Sequence, residues 1–309
     1  MDTNLIIKPA ISIVMSVYND SRYIDEAIKS ILTQTFKDFE FIIINDGSTD
    51  NSLSKIKKYK DERIMIINQK NIGLVASLNK GIAVARSDII ARQDSDDISL
   101  PDRLEKEIGL LKKNTDCIIV GSSMITIDES GNKRNTHKVL LNNPELKHEL
   151  LVRSPFAHGS VIFRKKAFFE SKGYLSADWP AEDYGLWIRM SSCGEFMNID
   201  EPLYKYRENS SGISQQNHKN QILATQRLQD EAWKYKIISK IDTSIYDRVP
   251  MGSYRTERIS DNIVKTLHKS IKQFDIVTAL RLIFVILTDR NIFKNSAKIL
   301  LYKLNCKHG

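Results

Sequence analysis

Four short apolar segments constrain the fold of this chain more than any other feature, because each is followed by a polar turn and a helical repeat of apolar residues. The apolar segments cover residues 11–17, 39–44, 63–67 and 89–92. Strands that alternate with helices in this way predict a mainly parallel sheet with right-handed crossovers. We therefore predict an α/β fold that binds its ligand in the crevice outside the carboxyl ends of the strands.

The fourth apolar segment runs directly into three carboxylates within four positions, Asp94, Asp96 and Asp97. Like charges at this range repel one another and raise each other's pKa unless a cation or hydrogen-bond donors neutralise them. Hard oxygen ligands at a strand end indicate magnesium or manganese. The alternative is a solvated acidic turn, in which Asp97 or Ser99 caps a helix that Pro101 opens.

Polar side chains also follow the first two strands, at Tyr18 and Asp46. Because parallel strands share one carboxyl edge, these side chains are expected to lie near the acidic turn. The chain has no Gly-rich dinucleotide fingerprint or phosphate loop. A nucleotide would instead stack on Tyr18 and donate a hydrogen bond to Asp46. The alternative is that Tyr18 only packs and that Asp46 only caps the turn before Gly47.

Beyond residue 115 the alternation loosens, and the sheet is expected to become mixed. The further predicted strands cover residues 117–120, 124–127, 161–163 and 196–199. A helix is predicted from 182 to 193, closed by Gly194. Glu182 and Asp183 in its first turn are stabilised by the helix N-terminus, or supply a general base if they point into the crevice. His158 is equally open to a structural or a functional interpretation.

The basic residues are concentrated after position 230, whereas positive and negative charges balance in residues 1–230. Fifteen basic and seven acidic residues after position 230 account for the entire formal charge of +8. Apolar residues at 276, 280, 283 and 287 share a helical face there, which is typical of a helix on an anionic membrane. The alternative is packing on the catalytic domain or on a second subunit. With no signal peptide and no apolar run of roughly 18 residues, we expect a cytoplasmic protein.

Five segments, in order, resemble glycosyltransferase family 2, the inverting nucleotide-sugar enzymes of the A-type glycosyltransferase fold. The segments cover residues 11–19, 44–50, 71–79, 94–104 and 182–189. The resemblance implies an arm at 1–9, one α/β catalytic domain at 10–215 and a basic helical extension at 216–309. Within the catalytic domain, residues 10–115 would bind the nucleotide sugar, and residues 116–215 would bind the acceptor.

The resemblance also implies roles for individual residues. The expected nucleotide-binding residues are Ser16, Tyr18, Asp46, Asn79, Asp94 and Ser95. Asp96, together with Asp94, would hold Mg²⁺ or Mn²⁺, and Asp183 would be the general base. The remaining candidates are Arg207 as a diphosphate contact and Glu182, His158 and Trp187 on the acceptor side. Asn45 is a departure, since many members carry an acid there.

The resemblance further implies a metal-dependent inverting transfer from a nucleotide diphosphate sugar, expected to be a UDP-sugar. The acceptor would be a hydroxyl of a lipid-linked glycan in bacterial O-antigen or capsule synthesis, at the inner face of the plasma membrane. Homo-oligomerisation is compatible with the helical extension, and no nucleic-acid partner is expected. Two alternatives stay open, a nucleotidyltransferase and a non-catalytic sugar-nucleotide-binding protein, and release of UDP rather than pyrophosphate excludes the first.

Overall fold

A computed structural model describes residues 8–210, 212–234 and 261–265, together with residues 267, 283 and 296. Of the apolar positions predicted at 276, 280, 283 and 287, only Ile283 belongs to this described part, where it is helical. The hypothesis of a basic membrane-surface helix therefore lies outside the described residues. Among the helices that are described, none has the length and apolarity needed to cross a bilayer.

The described residues form one mixed sheet of nine strands. In chain order these are β1 (Ile11–Val17), β2 (Phe39–Asp46), β3 (Ile64–Gln69), β4 (Ile89–Arg92), β5 (Ile98–Ser99), β6 (Cys117–Ile127), β7 (Lys133–His137), β8 (Ile162–Arg164) and β9 (Glu195–Arg207). The sheet order is β3-β2-β1-β4-β8-β6-β9-β5, with β7 paired to β6. Strands β1 to β4 are parallel, while β8 runs antiparallel to β4 and β6. The prediction of a mainly parallel α/β sheet that becomes mixed is confirmed.

Helices cover both faces of this sheet. They are α1 (Ile24–Leu32), α2 (Ser52–Ile56), α3 (Leu74–Val84), α4 (Arg103–Lys113), α5 (Asn143–Glu149), α6 (Lys165–Glu170), α7 (Glu182–Met190), α8 (Ile213–Gln216) and α9 (His218–Lys234). Along β1, Val14 packs into the core on the side of α3 and α7, whereas Ile13 and Met15 pack on the side of α1 and α4. A strand buried on both faces explains the continuous apolar run in the sequence.

Three local predictions are wrong. The strands predicted at 117–120 and 124–127 are one strand, β6, whose pairing with β9 shifts register around Ser122 and Ser123. The short strand predicted at 196–199 belongs to the 13-residue β9, because its continued pairing with β6 carries it to Arg207. The helix predicted to reach residue 193 ends at Met190, and residues 191–193 form a turn.

The alternative interpretation of the acidic turn, a cap for the following helix, does not hold. Helix α4 begins at Arg103, with Asp102 at the N-cap position and Pro101 in the turn before it. Asp97 accepts a hydrogen bond from the backbone N–H of Arg207 at 2.7 Å instead. Ser99 donates its hydroxyl hydrogen to Gln93 at 2.6 Å. These side chains therefore tie the turn to the protein interior and do not cap α4.

Candidate active site

The acidic turn follows β4 directly and leads into β5. Asp94 and Asp96 are partly exposed, whereas Asp97 is buried. One Asp97 oxygen accepts the Arg207 N–H. Burial, reinforced by Asp96 and Asp94, raises the pKa of Asp97 well above its ordinary value. The three acids therefore divide into two that face the crevice and one that belongs to the interior.

Two buried arginines lie behind the acidic turn. The guanidinium of Arg92 is fully buried, and its Nη2 lies 2.6 Å from Asp94 Oδ1. Arg103 Nη2 donates to the backbone oxygen of Arg92 at 2.9 Å, and Arg103 Nε lies 3.1 Å from Glu107. A buried charge is tolerated only where it is paired and fully hydrogen-bonded. The pairing fixes Asp94, and Arg92 is a residue that the sequence reasoning missed.

Asp96 and Asp20 place further negative charge at the mouth of the crevice. Burial, reinforced by Asp94, raises the pKa of Asp96 to about 6. Burial, reinforced by Asp96, raises the pKa of Asp20 to about 7, and a hydrogen bond with Ser95 opposes this shift. Sequence reasoning missed Asp20, although its place in the polar loop after β1 was a usable signal. Charge crowded in this way favours a bound cation.

The residues present fit a divalent metal ion. Within the described residues, no three His, Cys, Asp or Glu side chains form a complete protein cage. Magnesium, however, is usually held by one or two carboxylates together with substrate phosphates. Asp94 and Asp96 supply two such carboxylates, both partly exposed at the end of β4.

At the predicted nucleoside end, Tyr18 and Asp46 differ in exposure. Tyr18 exposes 53% of its surface, which leaves its ring free to stack on a base. Asp46 is buried, and its carboxylate accepts hydrogen bonds from Gln69 Nε2 and from the N–H groups of Ile72 and Gly73, each at 2.9 Å. Asp46 therefore holds the loop before α3, and its direct contact with a base stays a prediction.

The other predicted donor contacts lie nearby. The side chain of Asn79 donates to the backbone oxygen of Tyr174 at 2.9 Å and accepts from its N–H at 3.1 Å. Ser16 lies near the end of β1, opposite Ile44 of β2, and is partly exposed. Asn79 thus joins α3 to the loop before α7. Donor binding by Ser16 and Asn79 stays a prediction.

The first turn of α7 carries the candidate base. Burial raises the pKa of Asp183 to about 6, with the Tyr184 N–H opposing the shift and Asp94 reinforcing it. Glu182 is more buried, and burial together with Asp183 raises its pKa to about 7. A carboxylate with a pKa near neutrality suits general base catalysis. Arg92, which pairs with Asp94, lies 3.4 Å from His158, and His158 lies 3.9 Å from Glu182, so the acidic turn and the first turn of α7 are neighbours.

Two predicted contacts are instead buried in the structure. Trp187 is fully buried, with its ring against those of Phe156 and Phe163. Arg207 is also buried, and its Nε donates to the backbone oxygen of Asp96 at 2.7 Å while its Nη2 pairs with Glu26 at 2.9 Å. Arg207 therefore holds the acidic turn in place through buried hydrogen bonds. Contacts of Arg207 with a diphosphate and of Trp187 with an acceptor stay predictions.

Comparison with known proteins identifies the family. Residues 12–171, more than half of the chain, match the family described as Glycosyl transferase family 2. EpsE of Bacillus subtilis is 39% identical over 212 residues, covering 66% of this chain and 75% of EpsE. The O-antigen biosynthesis glycosyltransferase WbnJ of Escherichia coli is 36% identical over 203 residues, covering 64% and 79%. The chain belongs to glycosyltransferase family 2, as its motifs predict, and is an inverting glycosyltransferase.

Solved structures confirm the fold. Staphylococcus aureus TarS 1-349 in complex with UDP superposes with a TM-score of 0.59 at 15% identity, covering 84% of this chain and 72% of TarS. The mannosyltransferase PcManGT from Pyrobaculum calidifontis, in complex with GDP-Man and Mn²⁺, gives a TM-score of 0.51 at 14% identity, covering 96% and 76%. The α/β architecture is therefore that of A-type glycosyltransferases, as expected from the sequence.

Proposed function

We propose that this glycosyltransferase moves a sugar from a UDP-sugar to a hydroxyl of a lipid-linked glycan during synthesis of a surface polysaccharide, with Asp183 as general base. One observation carries the proposal: Arg92 and His158 connect Asp94 of the acidic turn with Glu182, the neighbour of Asp183 in the first turn of α7. The role of WbnJ in O-antigen biosynthesis supports a surface polysaccharide as the product. The complex of TarS with UDP supports a UDP-sugar as the donor.

Asp96 and Asp94 would hold Mg²⁺ or Mn²⁺ beside the donor diphosphate. When bound, the ion supplies positive charge that stabilises the leaving diphosphate. The raised pKa values of Asp96 and Asp20 support this assignment, since burial and like charge both disfavour ionisation where no cation is bound. The complex of PcManGT with GDP-Man and Mn²⁺ supports it independently.

Asp183 takes the proton of the acceptor hydroxyl as that oxygen attacks the anomeric carbon. The new carbon–oxygen bond forms on the face opposite the diphosphate, and the bond from the anomeric carbon to the diphosphate oxygen breaks. Configuration therefore inverts, with oxocarbenium-like charge on the sugar and no covalent enzyme intermediate. Tyr18 stacks on the base, and Asp46 orders the loop before α3 beside it.

The fifteen-to-seven excess of basic over acidic residues after position 230 supports contact with an anionic membrane surface, where a lipid-linked acceptor resides. Sedimentation with vesicles of phosphatidylglycerol, compared with phosphatidylcholine vesicles, tests this part. Binding to the anionic vesicles that is lost at high salt supports it. Equal recovery with both lipids contradicts it.

The experiment that tests the reaction is an incubation of the purified protein with UDP-, GDP- and dTDP-sugars and oligosaccharide acceptors, with and without a chelator. We expect UDP release, an inverted linkage in the product, and loss of turnover on chelation. Pyrophosphate release would instead identify a nucleotidyltransferase, and tight binding without turnover would identify a sugar-nucleotide-binding protein. The metal assignment fails if chelation changes neither UDP binding nor turnover.

A further inference from the structure

A run of buried polar groups connects Asp94 with the first turn of α7. Arg92, paired with Asp94 through Nη2, brings its Nε to 3.4 Å from His158 Nε2. The hydroxyl of Tyr174 lies 2.8 Å from the same nitrogen of His158. The other ring nitrogen, Nδ1, lies 3.9 Å from Glu182 Oε1. A single imidazole therefore lies between the metal-binding turn and the helix that carries the candidate base.

The contacts of Nε2 favour one protonation state of this imidazole. A guanidinium has only donors, so the 3.4 Å contact of Arg92 Nε with His158 Nε2 favours an unprotonated Nε2. The Tyr174 hydroxyl, 2.8 Å away, then shares the one lone pair of Nε2 as its acceptor, which leaves the ring proton on Nδ1, on the side of Glu182. Burial, reinforced by Arg92, lowers the pKa of His158 to about 3, which agrees with a neutral ring.

We propose that His158, held as the Nδ1–H tautomer by Arg92 and Tyr174, is a positioning residue that sets the first turn of α7 relative to Asp94. This inference rests on the proposed function, because the carboxylate being positioned is that of Asp183. The side chain of His158 is 14% exposed and packs edge-on against the rings of Tyr174 and Trp187. His158 therefore acts on the reaction through its neighbours and not through contact with the acceptor.

The position of a general base affects the rate steeply. A misplacement of about 1 Å, even one caused far from the reacting atoms, can cost on the order of 10²-fold in rate. Removing the imidazole leaves Arg92 Nε without its acceptor. It also removes the ring that lies between Arg92 and Glu182. Asp94 keeps its pairing with Arg92 Nη2, so donor binding should persist while the base moves.

Three variants test the proposal. His158→Phe keeps an aromatic ring, somewhat larger than imidazole, and removes both nitrogens, whereas His158→Gln offers an amide oxygen as acceptor. His148→Phe is the matched control, because His148 in α5 is also buried and burial also lowers its pKa, to about 4. The readouts are kcat, the dissociation constant of UDP with Mn²⁺, the thermal midpoint, and the imidazole ¹H–¹⁵N spectrum of the full chain.

We expect His158→Phe to lower kcat by on the order of 10²-fold, the cost of a misplacement of about 1 Å. UDP affinity should be retained, His158→Gln should recover most of the rate, and His148→Phe should lower the thermal midpoint without this loss of kcat. In the wild type, the spectrum should show His158 protonated at Nδ1 alone.

Equal losses of kcat in His158→Phe and His148→Phe, in proportion to their thermal midpoints, would overturn the positioning role. A wild-type spectrum with the proton on Nε2, or on both nitrogens, would overturn the tautomer on which the role depends. If the wild type transfers no sugar, the proposed function fails. The inference about His158 is then still tested separately, because the imidazole spectrum and the UDP affinity can be measured without turnover.

Discussion

The backbone of Gly159 lies directly against the carboxylate of Asp94. A Cβ atom at Gly159 would lie 2.5 Å from Asp94 Oδ2 and would also clash with the hydroxyl of Tyr204. The backbone of Gly159 has no positive φ angle, so the close approach alone excludes a side chain. The short 3₁₀ turn at His158–Ser160 therefore packs directly against the acidic turn.

Substituting Gly159 should displace Asp94. We expect Gly159→Ala to lower kcat/KM for the donor by about 10–100-fold and to weaken Mn²⁺-dependent UDP binding, as for other residues that orient metal ligands. Gly109→Ala is the control, since its added methyl group meets open space within α4 and should stabilise the protein by roughly 0.5–1 kcal/mol. If Gly159→Ala has the same kcat/KM for the donor as the wild type, the claim that Gly159 positions Asp94 is contradicted.

Substituting Arg207 separates a positioning role from a diphosphate contact. Lysine keeps the positive charge but cannot reproduce contacts with Asp96, Glu26, Asp128 and Glu129 from one planar group. We expect Arg207→Lys to weaken calorimetric UDP–Mn²⁺ binding by about tenfold, nearly as much as Arg207→Ala. The control is Arg22→Ala, which removes an exposed pair with Glu129 and a contact with the ring of Tyr23. Wild-type UDP binding in Arg207→Lys would favour a simple charge contact.

The pH dependence of turnover should follow the candidate base. The pKa of Asp183 is raised from 3.8 to about 6, and a general base must be ionised to accept a proton. The ratio kcat/KM, which reports on the free enzyme, should therefore be flat at neutral pH and fall as the pH drops through about 6. A kcat/KM that stays constant down to about pH 4.5 would contradict this assignment. As a control, enzyme held at the acidic pH and returned to neutral pH must recover its activity.

The same pKa shift makes an opposite prediction for stability. A folded-state pKa above the unfolded value favours folding below about pH 3.8, and this contribution is lost as the pH rises through about 6. Asp183→Asn, which carries no charge, should therefore melt at a higher temperature than the wild type at about pH 8. The two thermal midpoints should converge below about pH 4. A lower midpoint for Asp183→Asn under the alkaline condition would contradict a destabilising buried charge.

The sequence predicts the first half of the fold well for a physical reason. β1 and β4 have the predicted bounds because both are buried on both faces, which gives continuous apolar runs. The errors occur where distant residues decide the structure. Asp97 does not cap α4 because its partner, the N–H of Arg207, lies 110 residues further along the chain.

The candidate site divides in the same way. Tyr18, Asp94, Asp96 and Asp183 follow from polar residues placed at strand and helix ends, which is a local signal. Arg92 was not predictable, because an arginine in a buried strand is explained only by Asp94 and by His158, 66 residues away. The burial of Arg207 likewise depends on partners from three other segments.

The most direct test of the central claim is the turnover number of Asp183→Asn, measured together with its affinity for UDP and Mn²⁺. Loss of the general base should lower kcat by on the order of 10²–10⁴, while the affinity for UDP and Mn²⁺ is retained, since Asp94 and Asp96 are intact. A kcat within a few-fold of the wild type would contradict the assignment of Asp183 as the base.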